Sequence, residues 1–280
     1  MSKVVVVTDS SANVPPELAR PLNIRVVPQL LAVNGRTMHD GVDITPGELY
    51  RKLRTSKSQP KTSAPSVGDF VRVYASAVQE ANGIVSIHLS PRLSVTYSVA
   101  LTASQLLDGT PIRVINCHTA AMAHGFVVLE AARMAAAGAD LDAVVARAEE
   151  IASKVNLLAM IDNLEYLRRG GRIGGAASLL GTVLQIKPVV YLADGHVEVF
   201  AKPRTRAKAV RVMIESMTHQ VEDRPVHVAI MHADALEEAE AMGDQVAARF
   251  QCVELYVTEF TPVMGAHAGP GLLGVVFYVE

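Results

Sequence analysis

The sequence predicts an α/β protein of two domains, and three observations lead to this fold class. Its 280 residues exceed the size of a typical single domain and are ample for a large hydrophobic core. The first half alternates short apolar runs with amphipathic segments, which is typical of a doubly wound, mainly parallel sheet with helices on both faces. The second half places several short strands among two or three helices, which favours a smaller α+β domain. We therefore predict domains at residues 1–156 and 157–280.

The N-terminal elements follow from apolar runs and helix-capping signals. Residues 4–8 suit a strand buried on both faces, and the proline pair at 15–16 opens a helix. Residues 24–33 read as a second strand. The patterns TPGE at 45–48 and SVGD at 66–69 fit the capping box, in which a hydroxyl and a carboxylate satisfy free amide groups at a helix start. The remaining predicted elements are strands at 83–89 and 112–117 and helices at 95–107, 120–137 and 141–154.

The C-terminal elements begin near Asn156, where we place the domain boundary. Asp194 and Gly195 are predicted to form the two-residue turn of a β-hairpin. The other predicted elements are strands at 226–231, 253–258 and 275–279 and a helix at 235–250.

Three polar loops follow strands of the predicted parallel sheet. Their sequences are TDSS at 8–11, HLSPRLS at 88–94 and CHTA at 117–120. Because the carboxyl ends of parallel strands meet at one edge of a sheet, and ligands bind at that edge, these loops predict a binding site there.

Composition and charge exclude several classes of function. The formal net charge is −2, so no basic surface for nucleic acid is expected. No apolar run reaches the roughly 18 residues that a membrane span requires, and the first residues do not form a signal peptide. Cys117 and Cys252 lie far apart in apolar runs, which is typical of buried, reduced thiols. We therefore expect a cytoplasmic protein without a membrane span.

Hydrolytic, metal and nucleotide sites each receive weak support from the sequence. Ser90 or Ser94 could be a nucleophile, but no G-x-S-x-G elbow is present. The segment GGRIGGAASLLG at 170–181 matches neither the dinucleotide nor the phosphate-loop pattern, and its glycines serve close backbone approach or a turn. Candidate metal ligands exist but lack the spacing that defines a metal site; they are His39, His88, Cys117, His118 and His124.

Binding of an anion by neutral donors is better supported. We place Ser94 as the N-cap of a helix that begins at Val95, so that amide groups and the positive end of the helix face the loop. Thr62 and Ser63 precede another helix start. A carboxylate can accept hydrogen bonds from such hydroxyls and from an amide without an arginine. For each hydroxyl alone, helix capping is the better explanation, but two clusters at one sheet edge favour a shared ligand.

Six motifs resemble, in order, those of the DegV-like fatty-acid-binding proteins, the lipid-carrying subunits of bacterial fatty acid kinase. The resemblance spans essentially the whole chain. The motifs are TDSS (8–11), TSAPS (62–66), LSVTYS (93–98), LEYLRRGGRIG (164–174), KPRTRAKA (202–209) and HAGPGLLG (267–274).

This resemblance implies a ligand and a set of site residues. A long-chain fatty acid such as palmitate or oleate would lie in a tunnel between the two domains. Its carboxylate would be bound by Thr62 and Ser94, with Ser63, Thr96 and His267 close by. No catalytic residue, metal or cofactor is implied, since the fatty acid is itself the bound ligand.

The resemblance also implies a partner. The protein would present the carboxylate to a separate ATP-dependent fatty acid kinase, which makes an acyl phosphate, and Arg204 would engage the kinase or the phosphate. It would then be a substrate-binding subunit and not a stand-alone enzyme. Two alternatives stay open: a serine-dependent hydrolase or acyltransferase that uses Ser94 or His267 on a small carboxylate or acyl ester, and a binding module for another apolar acid.

Two positions depart from the family pattern. Ala64 stands where glutamine is common, and Val95 stands where glycine is common. The valine adds a stiff β-branched side chain near the proposed anion site, which would narrow access or change which hydroxyl contacts the carboxylate. Beyond the glycine cluster, four apolar residues are expected either to line the lipid tail or to belong to the core; they are Leu179, Leu180, Val183 and Leu184.

Overall fold

The computed structural model describes residues 3–55, 60–180 and 186–280. Within these ranges the strands are β1 (Val4–Asp9), β2 (Arg25–Val27), β3 (Leu30–Val33), β4 (Arg36–His39), β5 (Lys61–Ser63), β6 (Gly83–His88), β7 (Ile112–Asn116), β8 (Asn156–Met160), β9 (Val189–Ala193), β10 (His196–Ala201), β11 (Val226–His232), β12 (Cys252–Glu259) and β13 (Leu273–Val279). The helices are α1 (Pro16–Ala19), α2 (Pro46–Thr55), α3 (Val67–Ala77), α4 (Thr96–Ser104), α5 (Ala121–Ala136), α6 (Leu141–Lys154), α7 (Glu165–Arg169), α8 (Arg206–Val221), α9 (Leu236–Ala247) and α10 (Pro262–Ala268).

The N-terminal half contains a four-stranded parallel sheet in the order β2-β1-β6-β7. Every residue of β1 is buried. Val5 and Val7 pack in a cluster with Phe70 of α3, whereas Val4 and Val6 belong to a cluster that includes residues of α5. Helices therefore cover both faces of this sheet, and the predicted doubly wound fold is confirmed.

The prediction of a single strand at 24–33 is wrong. The chain leaves the parallel sheet after β2, and β3 begins a separate antiparallel sheet in the order β4-β3-β5. Pro28 lies between β2 and β3. Because proline has no amide hydrogen for a strand ladder, it favours a break at this point. The small sheet matters for the site, since it pairs Thr62 of β5 with Leu31 of β3.

The C-terminal half contains a mixed six-stranded sheet in the order β10-β9-β8-β13-β11-β12. The hairpin between β9 and β10 turns at Asp194 and Gly195, which have φ values of 48° and 77°. Positive φ at both positions is the signature of a type I′ turn, so the predicted hairpin is confirmed. One face of the sheet packs under α8 and α9, and the other face shares a core cluster with the N-terminal half. The division into two domains stays a prediction.

Both predicted capping boxes are present. The Ser66 hydroxyl accepts from the Asp69 amide at 3.2 Å, and the Asp69 carboxylate accepts from the Ser66 amide at 2.8 Å. Thr45 and Glu48 make the same reciprocal pair at 3.4 and 2.9 Å. Within the described ranges, no helix has the length and apolar character that crossing a bilayer requires.

The five candidate metal ligands are each buried or hydrogen-bonded to a neighbouring side chain. Cys117 is fully buried. The four histidines are hydrogen-bonded to neighbouring side chains; the pairs are His39 with Asp43, His88 with Asp9, His118 with Asp194, and His124 with Thr8.

A buried polar network lies at the carboxyl end of β1. The Asp9 carboxylate lies 2.7 Å from His88 Nδ1, and His88 Nε2 lies 2.7 Å from the Ser86 hydroxyl. Burial alone would raise the pKa of Asp9, but hydrogen bonding and charge at His88 hold it well below its usual range. Asp9 also accepts hydrogen bonds from Ser11 and Gln29, so the network fixes two residues that line the cavity described below.

We expect the protein to lose stability as the pH falls from about 6.5 towards 4, because His124 must stay neutral in the fold. Burial lowers the pKa of His124 from 6.5 to about 4. The unfolded chain therefore takes up the proton first, which removes about 3 kcal/mol from the free energy of unfolding across this interval. Urea unfolding at several pH values measures the loss. His124→Gln should remove the share of this loss that belongs to His124, while His267, whose pKa burial lowers in the same way, still contributes. His196→Gln, at an exposed position, should leave the profile unchanged.

Candidate functional site

A cavity of about 370 Å³ lies between the carboxyl edge of the parallel sheet and the inner face of the C-terminal sheet. Its volume is within the usual range for small-molecule sites. Most of its walls are apolar side chains from β8, β9, β11 and the loops around them; they include Leu89, Leu93, Leu157, Ala159, Ile161, Val190, Leu192, Met231, Phe260 and Leu272. The loop residues Ser11, Leu89 and Ala120 come from the three polar loops, so the predicted edge of the sheet does line this cavity.

Thr62 and His267 meet at one end of the cavity although 205 positions separate them. The Thr62 hydroxyl lies 2.7 Å from His267 Nε2. Burial, followed by the positive charge of Arg172, lowers the pKa of His267 to about 4, so its imidazole is neutral near pH 7. Nδ1 of His267 is buried without a hydrogen-bond partner among the described residues. Nε2 is therefore the ring atom that serves the site.

Ser94 lines the same cavity, but not as the predicted cap of a helix beginning at Val95. Helix α4 begins one residue later, at Thr96, and Val95 occupies the cap position without a side-chain hydrogen bond. The Ser94 hydroxyl instead lies 2.8 Å from the Thr96 hydroxyl and accepts from the Thr96 amide at 3.3 Å. Thr96 is fully buried, and it supports Ser94 from behind the cavity wall.

Arg172 is the site residue that the sequence did not reveal. It lines the cavity and donates from Nε to the Leu93 carbonyl at 3.0 Å and from Nη1 to the Gly170 carbonyl at 2.6 Å. These two bonds fix the guanidinium beside the Ser94 loop. A cation fixed in this way attracts an anion more strongly than hydroxyls alone. The only sequence signal was its position within the glycine cluster.

The glycine cluster allows close backbone contacts. A Cβ atom at Gly170 would overlap His267 Nδ1, and one at Gly174 would lie 2.5 Å from the Val197 carbonyl oxygen. Gly174 also has a φ of 52°, in the left-handed region. Of the two interpretations that the sequence allowed, close approach to another element is therefore the correct one at these positions.

Asp40 holds the helix that carries His267. Its Oδ1 accepts from the amide of Val263 at 2.8 Å, in the first turn of α10. Thr261, at the cap position, makes no side-chain cap bond. The buried Asp40 carboxylate therefore supplies the cap from the loop after β4.

Some of the remaining residues that the sequence predicts for the site line the cavity, and others lie outside it. Ser63, Ala64 and Val95 line the cavity. Arg204 is exposed and lies outside it, just before the first turn of α8. Of the two roles offered for the leucines after the glycine cluster, core packing fits Leu179, which is buried in a 3₁₀ helix that packs against β10. Leu180 is exposed and fits neither role. Val183 and Leu184 lie outside the described residues.

The geometry does not favour Ser94 as a nucleophile. Its hydroxyl bonds to Thr96, whereas His267 bonds to Thr62. Ser86, His88 and Asp9 do form a triad-like chain, but all three side chains are fully buried, so no substrate reaches Ser86.

Comparison with known proteins gives consistent matches over the full length. A family model described as an uncharacterised protein of the DegV family matches residues 3–280. A DegV domain-containing protein of Streptomyces coelicolor is 38% identical, over 98% of this chain and 97% of its own. A DegV family protein from Thermus thermophilus, whose structure is described as showing fatty acid binding, is 34% identical with a TM-score of 0.94, over 99% of this chain and 100% of its own. DegV of Bacillus subtilis, described as a fatty acid binding protein, is 28% identical with a TM-score of 0.93 and full coverage of both chains.

Proposed function

The chain belongs to the DegV family, and from that premise we propose that it binds a long-chain fatty acid, with the acyl chain in the apolar cavity and the carboxylate beside Thr62 and Ser94. The observation that carries this proposal is the asymmetry of the cavity. Its walls are apolar, whereas hydroxyls, a neutral imidazole and Arg172 lie together at one end. The fatty acid binding described for the relative from Thermus thermophilus supports the same ligand class.

The chemistry of the polar end suits a carboxylate. An ionised carboxylate only accepts hydrogen bonds, and the hydroxyls of Thr62 and Ser94 can both donate to it. Arg172 offsets its charge. A neutral His267 imidazole protonated at Nε2 would donate to the Thr62 hydroxyl, which leaves the hydrogen of that hydroxyl for the carboxylate. The acyl chain contributes about 0.8 kcal/mol for each methylene group that leaves water. Selectivity for an acid thus comes from one end of the cavity and most of the affinity from the other.

We propose in addition that the bound carboxylate is presented to a separate ATP-dependent fatty acid kinase, which forms an acyl phosphate. The sequence resemblance carries this part of the proposal. The sequence contains no phosphate-binding loop pattern, which agrees with a subunit that binds the substrate and leaves ATP to its partner.

The test is to purify the protein, denature it and analyse the organic extract by mass spectrometry. A near-stoichiometric long-chain fatty acid is the expected result. An empty extract, together with no uptake of added palmitate or oleate, would contradict the proposed function. Release of a different apolar acid would favour the alternative of a binding module for that acid, and turnover of an ester lost in Ser94→Ala would favour the hydrolase.

Arg204→Ala is expected to leave fatty acid binding unchanged and to slow phosphorylation by the kinase by about tenfold or more. The reason is that Arg204 is exposed and does not line the cavity, so its charge is available to a partner or to the phosphate. Rates of acyl phosphate formation with the purified kinase measure the effect. Arg211→Ala, at another exposed position on α8, is the matched control. Equal rates for both variants would refute the role of Arg204.

A further inference from the structure

A second cavity shares a wall with the fatty acid cavity. It has a volume of about 460 Å³ and is lined by the loop after β7, the end of α6, the start of β8 and the β9–β10 hairpin. Among the residues that the structure describes, three line both cavities: Leu157, Tyr191 and Leu192. The two spaces are therefore separated by the thickness of a few side chains.

The strand register shows which side chains make this wall. Leu158 pairs with Tyr191, and Ala159 pairs with Val190. Leu158 belongs to the cluster under α8 and α9, whereas Ala159 and Val190 belong to the cluster on the opposite face. Because side chains alternate along a strand, Leu157 and Leu192 lie on the face of Ala159 and Val190, towards the fatty acid cavity. Both leucines are only half-buried.

Along β8, the wall lies at the end of the cavity opposite to Ile161 and His267. Along β8 and the residue after it, the cavity is lined by Leu157, Ala159 and Ile161 in turn. Helix α7 follows the Ile161 end, and Gly170 just beyond it contacts His267. Leu157 is at the opposite end of this row, about 13 Å from Ile161 at the usual rise of a strand.

We propose that Leu157 and Leu192 form the distal wall of the acyl cavity and set the longest saturated chain that it accepts. This inference rests on the proposed binding of a fatty acid. Chains that fit between the carboxylate end and the wall bind fully buried, whereas longer chains require the wall to move towards the second cavity. Asp194, in the adjoining hairpin turn, lies 2.9 Å from His118 and 3.4 Å from Arg92.

The experiment is a competition among saturated acids of increasing length. Delipidated protein is incubated with an equimolar mixture from myristate to behenate, and the bound acids are quantified by mass spectrometry. Leu192→Ala joins the two cavities, and we expect the bound ratio of behenate to palmitate to rise about tenfold, the effect of two further buried methylenes. Leu192→Phe should shift the ratio towards myristate, and it gives an answer where the alanine variant fails to fold.

The control is Leu255→Ala, a half-buried leucine of the same sheet that lines neither cavity. It should keep the wild-type profile. If the wild-type protein binds acids but both Leu192 variants keep its profile, the proposed role of Leu192 in the distal wall is wrong. The proposed binding of a fatty acid would still stand. Wild-type protein that takes up no acid from the mixture would overturn both.

Discussion

Replacing Thr62 and Ser94 together with alanine is expected to lower fatty acid affinity by about 100-fold or more while the fold survives. A hydrogen bond from a hydroxyl to a charged acceptor contributes about 1.5–3 kcal/mol. The loss of two such bonds therefore lowers the binding affinity by about 100-fold or more. The fold should tolerate the change because both side chains are only half-buried. Thr62 lies on a three-residue strand, and Ser94 lies in a loop before α4.

Isothermal titration of delipidated protein with palmitate measures this effect, and thermal unfolding shows whether the variant is folded. The matched control is Thr102→Ala with Ser104→Ala, which removes two hydroxyls that bond to carbonyls of their own helix on the exposed side of α4. If the Thr62 and Ser94 variant binds palmitate as tightly as the wild type, the carboxylate does not bind at this end of the cavity.

Local patterns in the sequence predicted much of the fold. The hydroxyl and carboxylate spacing at Ser66 and Asp69 defines a capping box without help from the rest of the chain, and Asp194 with Gly195 defines a hairpin turn in the same way. These features depend on interactions over a few residues. The carboxyl edge of the parallel sheet was predictable too, because the chirality and connection rules of such sheets leave few other arrangements.

The contacts that complete the site are long-range, and the sequence alone did not reveal them. The resemblance named Thr62 and His267, but their direct hydrogen bond depends on the pairing of β5 with β3 in a small sheet beside α10. The apolar pattern at 24–33 predicts a continuous strand across Pro28, where the chain in fact breaks. Arg172 was missed for a related reason, since its role depends on carbonyls of Leu93 and Gly170 that only the folded chain brings within reach.

Gly170→Ala is expected to abolish most fatty acid binding and to destabilise the fold by about 1–3 kcal/mol, the usual range for overpacking. The backbone at Gly170 has a φ of −74°, which alanine adopts without strain. The cost therefore comes from the new methyl group, which would overlap His267 Nδ1 and lie 3.0 Å from its Cε1. The ring must move to make room, and this movement breaks its 2.7 Å bond to Thr62.

A double-mutant cycle separates this specific clash from general damage. Without the imidazole, as in His267→Ala, the added methyl group keeps only its 3.2 Å contact with the Tyr166 carbonyl oxygen, so Gly170→Ala should then cost less stability than it does in the presence of His267. The matched control is Gly47→Ala, at a helical glycine where a Cβ atom would meet nothing within 4 Å. Urea unfolding of the four members of the cycle provides the measurement. If Gly170→Ala destabilises the protein equally with and without His267, the glycine serves the backbone and does not position the histidine.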